Sequence, residues 1–110
     1  MDIRESKIDS FALLEIIGRV TSENSETLKE FLQEIGRREQ RVLIDCSALE
    51  YISSTGLGAL LVLLKLIQKK NGILRLFCVS PRIVEVFKIS GFDKFFPIFP
   101  SLEASRRAGN

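Results

Sequence analysis

The 110-residue chain contains no histidine. That absence removes both the commonest general base at neutral pH and the commonest zinc ligand. A serine nucleophile would then need a lysine as its base, and no local spacing supplies one. Cysteine is scarce as well. Cys46 and Cys78 are the only two, each inside an apolar run and not spaced as a metal pair. The expectation is two buried, reduced thiols in a cytosolic protein, with no metal and no cofactor. Charge of one sign is also missing. The formal net charge is +2, and the basic residues are dispersed among acids, as in "GRREQR". Such a surface does not point to nucleic acid or to an anionic membrane. No long hydrophobic run occurs, since Leu57–Leu64 is too short to cross a bilayer and gives way to "KLIQKK". The opening "MDIRESKI" is charged from its second residue and does not read as a signal peptide, so a cytoplasmic protein is expected.

What is present is an ordinary globular mixture, 45% hydrophobic and 27% charged. Its length suits a single domain over residues 1–110 with a core that needs no disulfide or metal. Ile3–Ile8 reads as an edge strand, and Phe11–Ile17 ("FALLEII") as a stronger one closed by Gly18. With only Asp9 and Ser10 between them, the two strands form an antiparallel hairpin. A helix follows, with Ser22 or Ser25 as its N-cap and Leu28, Phe31, Leu32 and Ile35 at helical spacing. "RVLIDCS" is a central strand, and a second helix spans about Ser54 to Lys70. "NG" at 71–72 stops that helix before the buried strand "ILRLFCV". Pro81 opens a third helix that Gly91 ends. "FFPIF" is a short last strand, and Ser101 caps a terminal helix. Strands alternating with helices predict an α/β fold: a mixed, mostly parallel sheet of four to five strands with about four helices.

The stretch "YISSTGLGAL", Tyr51–Leu60, interrupts this pattern with three hydroxyls and two glycines. A hydroxyl at the N-cap accepts from the unpaired amides of a first helical turn. Glycine within a helix costs about 1 kcal/mol relative to alanine. Gly56 and Gly58 therefore mark either tight packing or the close approach of another backbone or a ligand. The stretch is no phosphate loop, because it has neither the GxxxxGK[ST] spacing nor a complete GxGxxG. Within the second helix, Leu57, Leu60, Leu61, Leu64 and Ile67 share one side and are assigned to the core. Ala59, Val62 and Leu66 lie roughly opposite, a strip that either meets a partner or is covered by another helix. Phe92, Phe95, Phe96 and Phe99 are read mainly as core and strand residues.

"VLIDCSALEYISSTGLGALL" resembles the signature of the STAS domain, the fold of the anti-sigma factor antagonists. The likeness extends through "GRVTSENSETLKEFL" before it and "VSPRIVEVFKISGFDKFFPIF" after it, nearly the whole chain. It implies a non-enzymatic regulator that binds an anti-sigma factor with serine kinase activity, and a serine phosphatase that reverses the mark. It implies Ser54 as the phosphorylated residue, directly before Thr55 and Gly56. Partner contact is then expected from Thr21, Ser53, Ser54, Thr55, Gly56, Leu57, Gly58, Ala59, Val62 and Leu66. Two positions depart from the family's pattern. Ser53 and Thr21 stand where many members carry aspartate, which removes two carboxylates near the acceptor. Two other functions compete: a STAS scaffold or subunit of a transporter or stress-signalling complex, never phosphorylated, and a small α/β enzyme. The missing histidine counts against the last.

Overall fold

The computed structural model describes residues 1–109. The chain runs β1 (Asp2–Ile8), β2 (Phe11–Val20), α1 (Ser25–Arg38), β3 (Arg41–Asp45), β4 (Leu49–Ile52) and α2 (Ser54–Lys69). It continues through β5 (Ile73–Phe77), α3 (Pro81–Ser90), a single 3-10 turn at Phe92–Lys94, β6 (Ile98–Phe99) and α4 (Leu102–Arg107). The sheet order is β1-β2-β3-β5-β6, with β4 also on β2. Only β1 pairs antiparallel; every other pairing is parallel, so the sheet is mixed as expected.

The sheet has six strands rather than four to five. The addition is β4, where only Leu49 and Ile52 are buried and Glu50 and Tyr51 are exposed. Gly18 does not close β2 either. It holds a left-handed φ of 93°, and the register shifts between it and Arg19. This bulge lets β2 leave β3 and carry on beside β4 as far as Val20.

Alternation along the strands sorts the core into two layers. Val42 and Ile44 of β3 and Leu74 and Leu76 of β5 join the larger cluster, beneath Leu28, Leu32 and Ile35 of α1 and Ile83 and Phe87 of α3. Phe11, Leu43 and Phe77 face the other way, where Leu102 of α4 packs on them. Of the four phenylalanines near the C-terminus, Phe96 is buried against Phe87, with ring centroids 5.9 Å apart, and Phe95 is exposed. The last strand is accordingly only Ile98–Phe99.

Helix α1 starts differently from its expected form. Neither Ser22 nor Ser25 caps it: the N-cap is Asn24, and Ser25 is the first helical residue and buried. The Asn24 side chain turns back instead, accepting from the Thr21 amide at 2.9 Å and donating to the Arg19 carbonyl at 3.0 Å. Helix α3 keeps its expected ends, with Ser80 Oγ accepting from the Ile83 amide and Gly91 at a φ of 80°.

Cys46 is buried, and burial pushes its thiol up to about 12. Cys78 is only partly buried, which corrects the expectation of two sealed thiols; its φ of 57° lies at the end of β5, where the chain turns toward α3.

Ion pairs tie the edge strand to the end of α1. Arg38 donates to both Glu5 oxygens at 2.8 and 2.9 Å, and Lys7 reaches Glu39 at 2.8 Å. The hydrogen bonds from Arg38 hold the Glu5 carboxyl below its ordinary range. A depressed folded-state pKa stabilises the fold above the unfolded value and is lost as the pH falls through the folded one. Arg38→Gln should therefore lower stability at neutral pH, with the gap to the wild type closing in acid. Urea unfolding at both pH values checks this; a gap that is constant with pH contradicts it.

Candidate functional site at the start of helix α2

Strands β2 and β4 run parallel and leave the sheet at the same end, with Val20 opposite Ile52. The Ser53 amide donates to the Val20 carbonyl at 2.9 Å, so the segments beginning at Thr21 and Ser53 emerge side by side. This is the carboxyl end of the parallel strands, where open α/β sheets generally hold their ligands.

The three hydroxyls have separate roles. Ser53 is the N-cap, in extended conformation, and its Oγ accepts from the Gly56 amide at 3.1 Å while its carbonyl accepts from Leu57. Thr55 is exposed, and its Oγ1 lies 3.0 Å from Ser53 Oγ. Ser54 is the first helical residue and is exposed. The choice of cap that the sequence leaves open thus falls to Ser53, and Ser54 faces solvent. No acidic residue occupies the first turn of α2, so the helix N-terminus keeps its full positive field there. Thr21 closes the neighbouring turn, its Oγ1 accepting from the Glu23 amide at 3.3 Å and its carbonyl from Ser25.

The two glycines also differ. A Cβ on Gly56 would lie 2.6 Å from Val20 Cγ1 and 2.8 Å from Ile52 Cγ1, so glycine here seats the helix on the strand ends. A Cβ on Gly58 would meet nothing within 4 Å. Gly58 borders an open groove of about 460 Å³ between the first halves of α1 and α2. Ser22, Ser25, Glu26 and Lys29 line one side; Thr55, Gly58, Ala59 and Val62 line the other. Gly58→Ala should raise stability by up to about 1 kcal/mol through helix propensity. A thermal melt checks this, and a lower melting temperature would show that the groove is not open.

The apolar strip divides. Ala59 is buried in the core, and Leu66 packs beside Gly36, where a Cβ would come within 2.7 Å of Leu66 Cδ1. Helix α1 packs on both positions, sealing Ala59 and leaving Leu66 only partly accessible. Leu57 and Gly56 are likewise buried. Val62 is half-buried and reaches the groove. The reason is that α2 buries two sides, one on the sheet and one on α1. Leu63 is consequently core, and Leu61 only half-buried. Of the ten expected contact residues, the structure presents Ser54 and Thr55 to solvent and leaves Thr21, Ser53, Gly58, Val62 and Leu66 partly accessible. The opposite wall, with Ser22 from the turn before α1 and Glu26 and Lys29 from the helix itself, was not foreseen; its spacing of three and four residues is the only sign the sequence carries.

Among the described residues no group of His, Cys, Asp or Glu could hold a metal ion, and no helix is long and apolar enough to cross a membrane.

The STAS domain family profile matches residues 3–105. BtrV of Bordetella bronchiseptica, named as an anti-sigma factor antagonist, is 38% identical over 98% of this chain and 94% of its own. A crystal structure of a Thermotoga maritima protein, also named as an anti-sigma factor antagonist, superposes with a TM-score of 0.85 at 20% identity, covering 96% of this chain and 95% of that one. The Bacillus anti-sigma factor antagonist SpoIIAA, solved in unphosphorylated and phosphorylated forms, superposes with a TM-score of 0.73 at 16% identity in both. Each form covers 96% of this chain, which covers 96% of the unphosphorylated and 98% of the phosphorylated one.

Proposed function

The chain belongs to the STAS domain family, and from that premise we propose that it is a non-enzymatic antagonist whose partner is an anti-sigma factor with serine kinase activity. Binding of this partner would release a sigma factor, and phosphorylation of Ser54 would end the binding. The whole chain, 1–110, acts as one domain in the cytoplasm, and a serine phosphatase resets it.

One observation carries the reading: Ser54 is exposed at the first position of a 16-residue helix whose N-cap duty is already met by Ser53. A kinase can reach that hydroxyl without breaking a capping bond. The groove beside it, with Val62 at its apolar wall and Glu26 and Lys29 opposite, offers a docking surface next to the acceptor. The existence of a phosphorylated form of SpoIIAA supports the same reading, because that protein shares this fold. Ser53 and Thr21, which replace carboxylates common in the family, here make the turn's hydrogen bonds themselves.

The test is transfer from ATP by the cognate anti-sigma factor. Fragmentation of the tryptic peptide Val42–Lys65 should place the phosphate on Ser54, and Ser54→Ala should abolish it. Phosphate on Ser53 or Thr55 would overturn the assignment. Tight partner binding without any transfer would favour the unphosphorylated scaffold instead.

A further inference from the structure

The opposite end of the sheet holds a second feature, unrelated to the helix α2 turn. Strand β6 is only two residues long and pairs β5 at Leu76 and Phe77. The first half of β5, Ile73–Arg75, therefore runs beyond its neighbour, and an open cavity of about 780 Å³ lies along it. That size is in the range of small-molecule sites. Its polar groups include Arg41 and Arg75, and its apolar walls include Phe95 and Phe99.

The two arginines share one face of the sheet, since Arg41 precedes Leu43 by two residues and Leu43 pairs Arg75. Arg75 is only 5% exposed. Its guanidinium donates to two neutral acceptors, the Ser105 carbonyl at 2.8 Å and the Gly109 carbonyl at 2.7 Å. Arg41 stacks over the Phe11 ring at 4.3 Å, and its Nε is enclosed with no hydrogen-bond partner among the described residues. Neither arginine pairs with an acidic side chain among the described residues, and none lines the cavity. Burying positive charge with no counter-charge is costly. Burial and the nearby Arg41 accordingly lower the Arg75 pKa. An anion would relieve both effects. Phe95, 56% exposed at the rim, adds an apolar surface that a bare inorganic ion would leave unused.

We propose that this cavity binds a small organic oxyanion, with its charged group on Arg41 and Arg75 and an apolar tail along Phe95 and Phe99. The oxyanion competes with the Gly109 carbonyl for Arg75, so occupancy loosens the chain after α4.

Acetate, octanoate and inorganic phosphate can be titrated into the full chain at low ionic strength, with amide shifts read by NMR. Octanoate should give saturable shifts at Arg41, Gly72–Arg75, Phe99 and Gly109, binding at least about tenfold more tightly than acetate because its methylenes leave water. Arg41→Gln, which removes a half-buried side chain and no buried hydrogen bond, should weaken octanoate at least about fivefold. Lys69→Gln, on the exposed end of α2, should leave it unchanged. Equal affinities for the three anions would overturn the proposal, as would shifts scattered over the surface lysines. An equal loss in Lys69→Gln would also overturn it, since the attraction would then be diffuse.

Discussion

A Ser54→Asp variant should fold as the wild type does and lose at least about a hundredfold in affinity for its anti-sigma factor. Two energies of different size lie behind that expectation. Within the monomer, a negative charge at the first position of α2 meets the positive end of the helix, which favours it by about 0.3–1 kcal/mol when exposed. The cap is untouched, because the hydroxyl that accepts from the Gly56 amide belongs to Ser53. Thermal and urea unfolding should accordingly match the wild type or slightly exceed it. At the interface the sign reverses. A partner lying flush over Ser54 and the groove would have to bury an unpaired charge, at a cost of several kcal/mol. Each 1.4 kcal/mol is a factor of ten. Ser54→Ala should bind like the wild type, so the pair separates charge from loss of the hydroxyl. Gly58→Ala, whose methyl would enter the same groove, should bind more weakly despite its greater stability. If Ser54→Asp binds normally, no partner sits over this turn. If it unfolds, the charge acts on the fold and the account of a surface switch fails.

The fold was legible where burial is continuous. "RVLIDCS" and "ILRLFCV" announce β3 and β5 because both sheet faces there are covered, and the Pro81 and Gly91 signals bracket α3. β4 was not legible: Leu49 and Ile52 point inward three residues apart, with Glu50 and Tyr51 outward, which fits neither the strand period nor a continuous run. Gly18 misled for a related reason, since a bulge glycine and a terminating glycine are the same letter, and only the partner strand tells them apart. At the site, three hydroxyls before a helix were enough to predict a cap. Which one serves depends on backbone angles, and Ser53 has the extended conformation. Ser22, Glu26 and Lys29 form a helical stripe in the text, but the text does not say that α2 faces them. Arg75 was read as part of a buried strand, and its role depends on parity: it falls on the face of Phe77 and Leu43, under α4.

Gly72→Ala should be the most damaging single methyl in the chain, costing about 3 kcal/mol or more. Gly72 has an ordinary φ, so its backbone conformation is open to alanine, and the obstacle is space alone. Asn71, at a φ of 58°, turns the chain out of α2, and the Gly72 amide returns a hydrogen bond to the Ile67 carbonyl at 2.9 Å. The added Cβ would fall on the Gln40 carbonyl oxygen and lie 3.0 Å from Ile67 Cγ2. A side chain could swing aside, but Gln40 O is backbone and already accepts from the Ile73 amide at 2.8 Å, at the entry to the β3–β5 pairing. The neighbouring loop has no slack either, because Gln40 Nε2 donates to the Lys70 carbonyl and Lys70 Nζ to the Arg37 carbonyl, both at 2.9 Å. Relief must come from moving one strand start against the other, which opens a central pairing. Against a total stability of about 5–15 kcal/mol for a domain, that is a large share. Urea unfolding should show a lower midpoint with an unchanged slope. A shift of less than about 0.5 kcal/mol, the scatter expected of a surface change, would mean that the two loops do not touch. The contrast with Gly58 rests on the same logic: an identical methyl strengthens the helix where it meets open groove and breaks the sheet entry where it meets backbone.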